Sequence, residues 1–98
     1  SQRNELLLKA VDGIASGIQP DSALSHADRA LCARRLLELD PYREDALCVL
    51  MEEAAERRHL GRVSQLYTSM RTMLADELGV EPSPETRAFY QSLMQNPR

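Results

Sequence analysis

Apolar residues recur along this chain at intervals of three and four almost from end to end, the spacing that builds one face of a helix. Leu7, Val11, Ile14 and Ile18 step by 4, 3 and 4, with Leu6 and Ala10 at the edge of the stripe. Gly13 and Gly17 weaken this first helix and put its end near Ile18. Pro20-Asp21-Ser22 restarts the chain, which predicts a second helix running from there to Leu39. That helix carries two stripes, Leu24-Ala27-Leu31 and Ala30-Ala33-Leu37, and is expected to lie between two neighbours. Asp40-Pro41 ends it. A third helix over 43–58 turns Ala46, Leu47, Leu50, Met51 and Ala54 inward. Gly61 is expected to break the chain before a fourth helix over 62–78, whose face holds Val63, Leu66, Tyr67, Met70, Leu74 and Leu78.

The segment from Leu74 to Glu85 stops one helix and starts another within a few residues. Gly79 can take the left-handed conformation that closes a helix, and Pro82 cannot sit inside a continuing one. Ser83 is a good N-cap, Pro84 fits the first helical position, and Glu85 lies at the positive end of the new dipole. The fifth helix so started offers Phe89, Tyr90 and Leu93 as a docking edge. No useful stretch alternates with a period of two, so no strands are predicted. Short connections make successive helices antiparallel. Leu36-Leu37 and Met73-Leu74 lie 37 residues apart at matching points of two hairpins, near the 34-residue tetratricopeptide period. The expected fold is all-α, a tetratricopeptide-like stack of two antiparallel helical hairpins plus a C-terminal capping helix, in a single domain over 1–98.

Composition narrows the function. The net charge of −3 argues against this piece holding a phosphate backbone by itself, because such binding needs clustered Lys and Arg. No apolar run approaches the ~18 residues of a membrane span, and no signal-peptide pattern opens the chain, so the expected location is the cytoplasm. Cys32 and Cys48 fall in predicted helices among apolar neighbours and are expected as free, packed thiols. No zinc-like spacing joins them to His26 or His59. With no glycine-rich phosphate loop and no serine or cysteine followed by a base and an orienter, neither enzyme activity, cofactor nor metal is expected.

Two stretches carry a resemblance. Leu36-Leu37-Glu38-Leu39-Asp40-Pro41-Tyr42-Arg43-Glu44-Asp45-Ala46, followed by Leu74 through Glu85, closely resembles the bacterial transcriptional activator domain. This is the tetratricopeptide-like domain of the streptomycete antibiotic regulatory proteins, and the similarity covers about 23–93. The resemblance implies a helical module of a cytoplasmic regulator, placed after a winged helix–turn–helix that reads DNA. Its implied role is protein–protein interaction, either self-association as a homodimer or contact with the transcription machinery. Such modules also serve as interaction or sensing scaffolds in larger signalling proteins linked to cyclases or ATPases. Leu66 and Met70 depart from the repeat pattern, which usually has a small residue and an aromatic there.

Several surfaces are candidates for partner contact. Asp45, Glu52, Glu53 and Glu56 cluster on the third helix opposite its apolar face, with Val49 among them. This strip is either a solvated charged face or a docking site for a basic partner peptide anchored on Val49. Arg57, Arg58, His59 and Arg62 gather near Gly61, where cations at a helix C-terminus complement the dipole. Phe89, Tyr90 and Met94 suit either a cap folded onto the preceding hairpin or a dimer contact. Glu77 carries negative charge toward a negative helix end and is expected to pair with Arg87. With Gly79 and Ser83, that pair would lock the last corner.

Overall fold

The computed structural model describes residues 11–96. The chain is all-helical there, with no strand among the described residues. Helix α1 is seen over residues 11–17. It is followed by α2 (His26–Leu39), α3 (Glu44–Glu56), α4 (Leu60–Leu78) and α5 (Pro84–Gln95). The leading part of the first apolar stripe, Leu6, Leu7 and Ala10, lies outside the described residues.

The helix held between two neighbours is α3, not α2. Its apolar residues come in adjacent pairs, 46/47, 50/51 and 54/55, wide enough to serve both sides. Ala46 and Leu50 join Ile18, Ala30, Ala33 and Leu36 in one cluster beneath α1 and α2. Leu47, Met51, Ala54 and Ala55 join Val63, Tyr67, Met70, Leu74 and Leu93 in a second beneath α4 and α5. Each large side chain removed from water in this way contributes roughly 1.5–3 kcal/mol. The alanines do a different job, letting α2 and α3 approach closely. Helix α2 buries only Ala30, Ala33 and Leu36, while Leu31 stays 60% and Leu24 40% exposed. Its Leu24-Ala27-Leu31 stripe therefore faces outward.

Two boundaries also differ from the sequence pattern. Helix α2 starts at His26, with Ser25 as N-cap accepting from the Asp28 N–H at 3.1 Å. Pro20-Asp21-Ser22 belongs to a turn instead, in which the Ser22 N–H donates to Gln19 O (3.0 Å) and the Ser22 hydroxyl accepts from Leu24 N–H (3.2 Å). Gly61 lies inside the first turn of α4 and does not break the chain. The turn is made by Arg58, at φ 62. Its N–H donates to Ala55 O and the His59 N–H to Ala54 O, closing α3 in a Schellman arrangement.

The last corner follows the sequence closely. Gly79 closes α4 at φ 67, Ser83 caps α5 by accepting from the Thr86 N–H at 3.2 Å, and Pro82 is buried. Leu78, expected on the inner face of α4, is half exposed because the apolar contacts end at Leu74. Tyr90 of α5 stacks flat on Tyr67 of α4, ring centroids 4.0 Å apart, so α5 is packed against the second hairpin.

Candidate interaction groove

The acidic strip on α3 divides in two. Asp45, Val49 and Glu52 line a groove of about 520 Å³. Its other walls are Thr86 and Phe89 of α5 and Ile18 and Pro20 from the α1–α2 turn. Glu53 and Glu56 turn away toward α2. The Glu53 carboxylate meets Arg34 at 3.2 Å and the Glu56 carboxylate meets His26 at 3.4 Å. The split follows from helix geometry: positions 45, 49 and 52 repeat at four and three, whereas 53 is rotated about 100° from 52. Glu56, though in line with 52, sits a turn further on, where the start of α2 reaches it.

Acid groups dominate the groove rim. Arg43 grips Asp45 in a two-pronged contact (Nε–Oδ1 3.0 Å, Nη2–Oδ2 2.7 Å). That bond holds the Asp45 carboxyl below the usual aspartate range, helped by the Ala46 N–H, and it raises Arg43 in turn. Glu44 accepts from the Ser83 N–H at 2.8 Å and so ties the start of α3 to the start of α5. Arg29, a cation among these acids, donates from Nη2 to the Ile18 carbonyl at 2.8 Å, and its buried Nε has no acceptor. Cys48 lies in the wall with its thiol 4.0 Å from the Thr86 hydroxyl. Burial pushes its pKa up, which keeps the thiol neutral and a poor nucleophile. Both cysteines are free. Gly17 and Cys32 meet closely at the end of α1, where a Cβ on Gly17 would come within 2.9 Å of the Cys32 sulfur.

Other candidates take different places. Glu77 and Arg87 are both exposed and form no ion pair with each other, so they do not lock the last corner. Glu77 instead faces the Tyr42 hydroxyl, and its carboxylate raises the tyrosine pKa. The corner is bridged by Glu44 with Ser83 and, more loosely, by Arg71 with Glu81 at 3.6 Å. Arg57, Arg58, His59 and Arg62 are all exposed around the α3–α4 turn. His26, Glu52 and Glu56 bring ligand-type atoms within 4.8 Å of one another. His26 and Glu56 are already paired with each other at the surface, and the set reads as an ion-pair cluster.

Reading α3 by itself could not find half of the groove. Glu85, Thr86 and Phe89 reach it because α5 runs alongside α3, a pairing visible only once the chain folds. The available signal was the spacing of Glu85, Thr86 and Phe89, which places them on one face of α5.

A family model described as the bacterial transcriptional activator domain matches residues 1–94. The chain is also similar to the transcriptional regulatory protein MoaR1 of Mycobacterium bovis (strain BCG / Pasteur 1173P2) and to its namesake in Mycobacterium tuberculosis (strain ATCC 25618 / H37Rv). Each is 35% identical over 60 residues, a match covering 61% of this chain and 19% of the relative. The chain thus spans about a fifth of the length of the curated relatives it matches. No solved structure matches it. Its helices, its capped last corner and the match over nearly its whole length converge, and the chain belongs to the bacterial transcriptional activator domain family, as a domain of a transcription regulator.

Proposed function

We propose that this domain is the protein-interaction module of its regulator, acting by contact and not by catalysis, in the cytoplasm, while a winged helix–turn–helix elsewhere in the natural protein reads DNA. Its partner is a second copy or a component of the transcription machinery. The observation that carries this reading is the groove along α3, an apolar floor under acidic side chains in a domain of net charge −3. Such a surface repels a phosphate backbone and suits a basic protein surface. Of the strip on α3, Asp45, Val49 and Glu52 are the contact residues; Glu53 and Glu56 serve α2.

The test is charge reversal in the natural full-length regulator. Asp45→Lys with Glu52→Lys is expected to lower promoter output about tenfold, the effect of ~1.4 kcal/mol of lost contact. Affinity for promoter DNA should stay as it was. Full output from the double variant would defeat the proposal.

A further inference from the structure

The walls of the groove say what kind of segment fits it. Along α3, Glu44 and Glu52 are eight residues apart, which at 1.5 Å per residue makes the floor about 12 Å long. That matches three to four residues of extended peptide at roughly 3.3 Å each. Val49 lies between the two ends, with Phe89 of α5 and Ile18 across from it, all half-buried or buried. Contacts between Glu44 and Ser83 and between Cys48 and Thr86 set α5 parallel to α3. Glu85 consequently stands near the Asp45 end, and Glu52 marks the other. The groove has an apolar middle and acidic side chains at both ends, and its one lining cation among the described residues, Arg29, is turned to the Ile18 carbonyl.

We infer that this groove takes a short cationic segment of a partner protein, in which an aliphatic side chain rests on Val49 and Phe89 midway between two Arg or Lys residues four positions apart, which an extended chain turns to the same side. One basic side chain meets Glu85, beside the Arg43–Asp45 pair, and the other meets Glu52. The inference rests on the interaction reading above but adds α5 as half of the site. It also excludes Glu53, which stands outside the groove on the side of α3 that faces α2. Apolar contact in the middle supplies most of the affinity, and the terminal charges set which segments are accepted.

The experiment is a titration of the ¹⁵N-labelled 98-residue protein with acetyl-Arg-Ala-Leu-Ala-Arg-amide, with acetyl-Glu-Ala-Leu-Ala-Glu-amide as control. The amides of Cys48, Val49, Thr86 and Phe89 should shift with the basic peptide and not with the acidic one. Glu85→Lys, and the milder Glu85→Gln, should weaken binding, about tenfold for the lysine. Glu53→Gln should leave it unchanged. Glu85 is exposed, and undisturbed dispersion of the remaining amides shows that each variant is folded. Saturating peptide that moves none of these amides, or binding indifferent to Glu85, overturns the inference. If promoter output still falls with Asp45→Lys and Glu52→Lys, the interaction role survives without this groove. If the peptide binds as described while output ignores both changes, the groove stands and the proposed role in transcription fails.

Discussion

Two corners of this molecule solve one problem with different residues. At each, a helix ends on a left-handed residue and its last carbonyls are taken by the N–H groups that follow. After α4 that residue is Gly79 at φ 67, with its N–H on Ala75 O and the Val80 N–H on Leu74 O. After α3 it is Arg58 at φ 62, with the paired bonds to Ala55 and Ala54. Glycine takes this conformation freely, whereas a residue with a Cβ takes it at a cost of roughly 1–2 kcal/mol. The first corner is thus announced by its own letters. The second is imposed by the packing on either side of it: Ala54 and Ala55 are buried before the turn and Val63 after it, so the chain must reverse in between. A sequence states local preference, and tertiary burial can override it where enough apolar surface is at stake.

The sharpest way to break this comparison is at Gly79. A Cβ there meets nothing within 4 Å, so any loss on substitution comes from the backbone alone. Gly79→Ala should destabilise the domain by about 1–2 kcal/mol. For a domain of this size that lowers Tm by roughly 4–16 °C, read by thermal unfolding followed by circular dichroism. An unchanged Tm would mean that the corner does not need its glycine, and the distinction between the two corners would collapse.

The same contrast explains which features could be read ahead of the structure. The spacing of Ala46, Leu47, Leu50, Met51 and Ala54 marks them as inward residues of α3, and all five are buried, with Ala55 beside them a sixth that the pattern does not single out. Gly79, Ser83 and Pro84 act at the positions where their chemistry places them. The errors share a cause. Leu24 and Leu31 have the right spacing for a buried stripe, but Leu24 lies before α2 begins, beside Gly17, and Leu31 is left 60% exposed. Glu77 and Arg87 have opposite charges on neighbouring helices, yet both stay exposed without an ion pair between them, and Glu77 faces Tyr42 instead. The acidic strip was visible as a pattern along α3. Its division was not, because Arg34, His26 and the walls from α5 and α1 come from elsewhere in the chain.

The α3–α4 corner offers a paired prediction with signs opposite to a simple reading of glycines. Arg58→Gly relieves the left-handed strain and should stabilise by about 0.5–1 kcal/mol, the gain being limited by the added freedom of the unfolded chain. Gly61 is helical, with open space where its Cβ would stand. Gly61→Ala should therefore also stabilise, by up to ~0.5 kcal/mol at this first-turn position. Were Gly61 the turn residue, alanine would destabilise instead. Urea unfolding of the two single variants and the double decides the matter, since a shift in midpoint at constant slope is a change in stability.

The smallest effect belongs to a third corner, α2–α3, which is braced by charge and not by backbone conformation. Arg43 holds the Asp45 carboxyl below its ordinary value of 3.8, through their hydrogen bonds first of all. The folded state thus favours the ionised acid more than the unfolded chain does. Its contribution is complete above the unfolded value, and it fades as pH falls through about 4 and on through the lower folded value. The Asp45 side chain is 46% exposed, so solvent screening keeps the contribution to roughly 0.2–1 kcal/mol. Asp45→Asn should accordingly be slightly less stable than the parent at pH 7, and the two stability curves should converge as pH falls below the lowered folded value of Asp45. A constant gap between them down to that pH would show that the asparagine loses packing or backbone contacts rather than charge, and the bracing of this corner by Arg43 would have to be given up.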